Sequence, residues 1–140
     1  MATWLLKADP TFYSWAKLAE DTKARWDGVR NYPSRNNIRA MKTGDFVFIF
    51  DGGDEQMVSG LGRVAGEPYD DPSSEEGKWS VVDIEAVVPL VRPVSWEEIR
   101  NTYLLNVMPM VTQTRLTVQP VTDAQRDLLL KIAKTELPTS

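Results

Sequence analysis

Between Trp26 and Arg39 the chain reads Trp-Asp-Gly-Val-Arg-Asn-Tyr-Pro-Ser-Arg-Asn-Asn-Ile-Arg. Aromatic faces stack on nucleobases, an asparagine amide offers a donor and an acceptor to a base edge, and an arginine fork meets two phosphate oxygens at once. The three side-chain types are interleaved here, which a plain structural turn does not require. Trp26, Arg30, Asn31, Tyr32, Arg35, Asn36 and Arg39 are therefore candidate ligand-binding residues. Each aromatic and amide also has a simpler reading: Trp26 as a core plug, Tyr32 as a hydrophobic staple beside Pro33, and Asn31, Asn36 and Asn37 as caps and turn residues.

Other candidates lie further along the chain. Trp79 follows directly on Gly77-Lys78, a loop exit where a stacking platform can stand clear of the core. Arg115, Thr117 and Gln119 alternate, so on a strand they share one face, either bordering a cavity or simply solvated. Lys7 ends the first apolar run, where an exposed lysine is the default.

Composition narrows the chemistry. Zero cysteines and zero histidines exclude disulfides, thiolate metal sites, the usual catalytic triads and most zinc geometries, and no cofactor or metal is expected. The chain has 140 residues, of which 42% are apolar, enough for one compact domain over residues 1–140 that buries roughly 70% of its extended-chain surface. No apolar run reaches membrane-spanning length, and Met1-Ala2-Thr3-Trp4 lacks the basic start of a secretory signal, so a cytoplasmic monomer without membrane contact is expected.

The net charge of −4 argues against a broad duplex-coating surface. It hides an asymmetry, however. From Lys23 to Lys42 six basic residues stand against Asp27 alone, giving +5 locally and therefore −9 for the rest. The Glu67–Glu76 stretch, with five acids among Pro, Ser and Gly, reads as a solvated loop.

The elements that position these residues are short and mixed. Thr3–Lys7 reads as a strand, Ser14 as the cap of a short helix carrying Trp15 and Leu18, and Lys23–Tyr32 as an irregular loop. A helix is predicted from Pro33 or Ser34 to about Lys42, with Gly44 as its stop; Arg35, Arg39 and Lys42 then form a basic ridge outside it, and Ile38 and Met41 an inward stripe. Asp45–Asp51, centred on Phe46-Val47-Phe48-Ile49-Phe50, reads as a strand covered on both faces. Gln56–Val64 is a further strand whose Gly60 and Gly62 leave a bare strip for a bend, another backbone or a flat ligand. Trp79–Val91 is the longest strand, ended by Pro93. Ser95 caps a helix through Ile99, Arg115–Gln119 is the last strand, and Thr122 caps a final amphipathic helix. Core packing is the expected role of Trp4, Trp15 and Trp96. The absence of regular strand–helix alternation points to an α+β fold, an open or pseudo-closed barrel of five or six mostly antiparallel strands with peripheral helices.

Taken together, Trp4-Leu5-Leu6-Lys7-Ala8-Asp9-Pro10, Trp26-Asp27-Gly28-Val29-Arg30-Asn31-Tyr32, Arg35-Asn36-Asn37, Lys78-Trp79 and Arg115-Leu116-Thr117-Val118-Gln119-Pro120-Val121 resemble the EVE domain family. The resemblance covers nearly the whole chain in order. It implies a PUA-like fold related to YTH domains and a reader of DNA or RNA carrying a modified base such as 5-methylcytosine or N6-methyladenine. It also brings Lys7, Ala8, Asp9, Phe50 and Asp51 to the pocket. Two departures stand out: Lys7-Ala8-Asp9-Pro10 replaces the family's common Lys-Ser-Glu-Pro, losing a hydroxyl at Ala8, and Phe50-Asp51-Gly52 replaces Tyr-His-Ser, turning an imidazole into a carboxylate that accepts from an exocyclic amino group.

The resulting hypothesis is that a modified nucleotide leaves its stack and slots between Trp79 and another aromatic, with Asn31 and Asp51 at its edge and Arg30, Arg35 and Arg39 on phosphates. Two readings of other classes compete. Lys7, Asp9, Asp51 and Thr117 can be recast as the hydrolytic set of PUA-like ASCH relatives, or the basic ridge can serve a protein partner.

Overall fold

The computed structural model describes the chain except for residues 1, 9–12, 28, 54, 73–76, 114 and 139–140. Among the described residues seven strands form the sheet: β1 (Thr3–Ala8), β2 (Lys23–Trp26), β3 (Phe46–Asp51), β4 (Met57–Val64), β5 (Tyr69–Asp70), β6 (Ser80–Ser95) and β7 (Val118–Val121). The order is β2-β6-β4-β3-β1-β7, with β5 paired to β6 off this path. β1 and β3 run parallel and the other pairs antiparallel. The α-helices among the described residues are α1 (Trp15–Asp21), α2 (Tyr32–Ala40), α3 (Trp96–Arg100), α4 (Pro109–Thr112) and α5 (Asp123–Ile132). The α+β architecture is the expected one, but the sheet has seven strands rather than five or six and is not closed into a barrel.

Alternation along the strands divides the core in two. Leu5, Phe46, Phe48 and Phe50 face a cluster with Ile99, Leu105, Met108, Met110 and Leu129. Leu6, Val47 and Ile49 face the other way, towards Trp4, Trp15, Leu18, Trp26, Ile38 and Met41. β3, buried on both sides as its apolar run predicts, is the spine between them.

Local signals set the helix starts. The side-chain oxygens of Ser14, Ser95 and Thr122 accept the N–H of Lys17, Glu98 and Gln125, and Thr122 and Gln125 close a reciprocal capping box. Gly44, at φ 93°, turns the chain into β3. Beside it the buried Asp45 carboxylate accepts from the Trp4 indole N–H at 2.9 Å and from the backbone N–H of Lys42 at 3.0 Å. These bonds tie the end of α2 to β1.

Several boundaries differ from the sequence reading, and α2 ends at Ala40, with Met41 already extended, before Lys42 and Gly44. Lys23–Trp26 is not loop but β2, paired with Val82–Glu85 of β6. β6 does not stop at Pro93 but runs to Ser95, since Pro93 is exposed and the strand resumes pairing with β4 at Val94 and Ser95. β7 begins only at Val118, so Arg115 and Thr117 precede it instead of alternating along it. The bare strip at Gly60 is filled from within by the Trp15 indole, next to bulges in the β4–β6 register.

Candidate nucleic-acid interface

The site is organised around α2, and Asn31 begins it. Its side-chain oxygen accepts the Ser34 N–H at 2.9 Å, so the helix starts at Tyr32, with Pro33 in the first turn where its missing N–H costs nothing. The Asn31 amide nitrogen donates to the Arg115 carbonyl at 3.3 Å. Ser34, fully buried, accepts from the backbone N–H groups of Thr117 and Val118 at 3.0 and 3.3 Å. Asn37 donates to the Val118 carbonyl at 2.7 Å. One flank of α2 is thus stitched to the segment that enters β7.

The other flank holds the turn between β5 and β6. Arg39 donates from Nε to the Ser80 hydroxyl and from Nη2 to the Gly77 carbonyl, each at 2.8 Å. Arg35 donates from Nη1 to the Lys78 carbonyl at 3.2 Å, while its Nε and Nη2 are held by the Asn36 side-chain oxygen. The expected outward ridge is therefore corrected: Arg35 and Arg39 reach across to backbone carbonyls, and Lys42 lies past the helix end.

This clamp delivers Trp79 to Tyr32. Their rings stack with centroids 5.1 Å apart and planes 25° from parallel, and Tyr32 remains 50% exposed. Arg35 lies over Tyr32 at 4.7 Å and Arg30 over Trp79 at 5.6 Å, with the Lys78 ammonium within 5.8 Å of both rings. Cations beside aromatic faces are attracted to the ring quadrupole. Arg30 also pairs at 3.1 Å with the buried carboxylate of Asp71, whose backbone N–H donates to the Trp79 carbonyl at 2.9 Å. At 5.1 Å the two rings are in direct contact, so the slot expected between Trp79 and a second aromatic is already filled by Tyr32.

Asn31 joins this cluster to an adjacent cavity of about 440 Å³ lined by Asn31, Pro33, Gln113, Arg115 and Leu116. That volume lies in the usual range of small-molecule sites. Gln113, Leu116 and Pro33 are absent from the candidate residues read from sequence. Only their closeness to Arg115 and Asn31 along the chain hinted at them.

The remaining candidates lie elsewhere or are otherwise engaged. Trp26, 9% exposed, is packed in the core with Tyr13 edge-on to it. Gln119 is fully buried and accepts the Met110 N–H, so it does not share a face with Arg115 and Thr117. Asn36 is exposed and holds Arg35. Ala8 and Phe50 are buried, and Asp51 accepts the N–H of Trp15 at 2.8 Å, capping α1. Lys7, half-buried beside Phe50, donates its backbone N–H to the Thr117 carbonyl, and burial lowers its amine below the ordinary lysine pKa. Asp9 lies outside the described residues. Among the described residues no three acidic, Cys or His side chains gather to hold a metal, and no helix is long and apolar enough to cross a membrane.

Comparison with known proteins places this geometry in context. Thymocyte nuclear protein 1 of Mus musculus is 33% identical, over 95% of this chain and 74% of its own length. A crystal structure of an Agrobacterium tumefaciens protein is 35% identical with a TM-score of 0.93, covering 99% of this chain and 97% of that one. Human thymocyte nuclear protein 1, crystallised in complex with DNA containing 5-methylcytosine, is 29% identical with a TM-score of 0.87, covering 98% of this chain and all (100%) of that one. An ASCH protein from Zymomonas mobilis, 12% identical at a TM-score of 0.58, shares the PUA-like fold. The EVE domain model matches residues 2–132, and the chain belongs to the EVE domain family.

Proposed function

We propose that this chain is a non-catalytic nucleic-acid-binding domain that takes a modified base, of the 5-methylcytosine or N6-methyladenine kind, beside the Tyr32–Trp79 pair. The observation that carries the reading is the stacked pair flanked by Arg30, Arg35 and Lys78 and joined through Asn31 to the 440 Å³ cavity. Aromatic faces suit a base, the cations suit a phosphate, and Pro33 and Leu116 give the cavity apolar wall for a methyl group while Gln113 and Arg115 supply donors. The human relative's complex with 5-methylcytosine DNA supports the same class of ligand. Extruding the base costs a few kcal/mol in a duplex and less in a single strand. Single-stranded ligands are therefore the better probes.

The test is a tryptophan-fluorescence titration with short single strands differing in one modified base, in the native chain and in Trp79→Ala. Tighter binding of one modified strand, weakened in the variant, supports the reading. Equal binding of every strand reduces the chain to a weak non-specific binder.

Hydrolysis of an acylated nucleoside by Lys7 is the second reading, and one observation favours it: burial lowers the amine's pKa, the direction a lysine base or nucleophile needs. Incubation with acylated and methylated nucleosides, followed by chromatography, separates the two. Turnover lost in Lys7→Met overthrows the reader.

A further inference from the structure

The guanidinium of Arg39 grips a turn. Two of its three nitrogens are engaged there, Nε on the buried Ser80 hydroxyl and Nη2 on the Gly77 carbonyl. Arg35 has all three engaged, one of them on the Lys78 carbonyl. Their acceptors bracket Trp79 in sequence, from Gly77 to Ser80. A planar fork held at two points fixes orientation as well as distance.

Lys78 and Arg115 are placed differently. Both are exposed, Lys78 on the turn next to the indole and Arg115 on the cavity wall. The Lys78 ammonium lies by the faces of Tyr32 and Trp79, and among the described residues neither it nor the Arg115 guanidinium has a side-chain hydrogen bond or ion pair. Arg39 has only Nη1 left for a phosphate, in an orientation that its two contacts on the turn already fix, whereas these two cations have no comparable bond to keep.

We infer that Arg39, with Arg35, is a positioning residue for Trp79, clamping the Gly77–Ser80 turn to α2 so that the indole meets a base, and that Lys78 and Arg115 make the phosphate contacts. This rests on the nucleic-acid-binding reading above. It departs from the division of labour that a row of arginines suggests.

Salt dependence separates the two roles. Each phosphate contact on a single strand contributes about −0.7 to the slope of log affinity against log salt. Arg39→Ala should weaken binding and leave that slope unchanged, whereas Lys78→Ala and Arg115→Ala should each make it shallower by about 0.7. Trp79→Ala should cost about 5- to 150-fold in affinity, the equivalent of about 1–3 kcal/mol per stacked base. The Arg39→Ala/Trp79→Ala double variant should lose little more than Trp79→Ala alone. Acrylamide quenching without nucleic acid, with Trp79→Phe as the subtraction, should show Trp79 more accessible in Arg39→Ala. Should Arg39→Ala unfold, Ser80→Ala removes one clamp contact with no change of charge, and it should weaken binding at constant slope. A slope made shallower by Arg39→Ala, or additive losses in the double variant, overturns the inference. If the native chain binds no oligonucleotide, the binding reading falls, and the quenching result alone then upholds or overturns the clamp.

Discussion

The Ser34 hydroxyl, fully buried on α2, receives the backbone N–H of Thr117 at 3.0 Å and that of Val118 at 3.3 Å. With Asn31 and Asn37 on either side of it, this hydroxyl is the central tie between α2 and the chain entering β7. Removing it leaves buried donors without their acceptor, a cost of about 1–3 kcal/mol. Ser34→Ala should lower the urea midpoint by that cost divided by the denaturant slope, with the slope itself unchanged. A loss below about 0.5 kcal/mol would mean that water replaces the hydroxyl.

Trp26 and Trp79 should separate stability from binding. Trp26 is core, so Trp26→Ala is expected to cost about 3–5 kcal/mol of folding free energy. Trp79 is half-buried and rests on the exposed Tyr32, and its truncation should change unfolding far less while lowering oligonucleotide affinity by about 1–3 kcal/mol. Parallel urea and fluorescence titrations check both. Equal destabilisation by the two variants would make Trp79 a second plug.

Much of this fold was legible because its signals are local. Ser14, Ser95 and Thr122 each announce a helix start through one hydroxyl and one nearby N–H, and the run from Phe46 to Phe50 announces a doubly buried strand by composition alone. β2 was missed although Lys-Ala-Arg-Trp alternates polar and apolar, because a run of four residues is short and its strand state is secured by pairing with residues 82–85. The site divides in the same way. Tyr32, Trp79 and the cations were recognisable by type, but on the turn Arg35 and Arg39 each hold a backbone carbonyl, which carries no sequence signature. Asn31 and Asp51, read as base-edge groups, already accept an N–H at a helix start, Asn31 within α2's own first turn and Asp51 from the end of β3 to Trp15 of α1.

Alkaline pH offers a test of the contact between Tyr13 and Asp21. Burial and then the 2.9 Å hydrogen bond to the Asp21 carboxylate push the Tyr13 phenol up to about 12, from an ordinary value of 10.0. A raised folded pKa means that the neutral phenol is favoured by folding. Its contribution is complete below pH 10 and disappears as pH climbs from 10 through about 12. The stability difference between the native chain and Tyr13→Phe should therefore be constant up to about pH 10 and shrink above it. A difference that stays level to pH 12 would place the phenol in open solvent.

Gly60 is the sharpest steric test, because a methyl group there has nowhere to go. A Cβ at Gly60 would stand inside the ring of Trp15, which itself begins α1 and is buried against Val47 and Ile49. The indole is rigid and packed, so Gly60→Ala must displace α1 from the sheet, at an overpacking cost of about 1–3 kcal/mol or more. Gly66 supplies the control: nothing lies within 4 Å of its Cβ direction, and its φ is not in the left-handed region. Gly66→Ala should therefore be neutral or stabilise slightly by restricting the unfolded chain, by up to about 1 kcal/mol. Thermal and urea unfolding of the two variants side by side check this. If Gly60→Ala proves as mild as Gly66→Ala, the indole does not rest on the bare strip of β4, and the placement of α1 over the sheet is wrong.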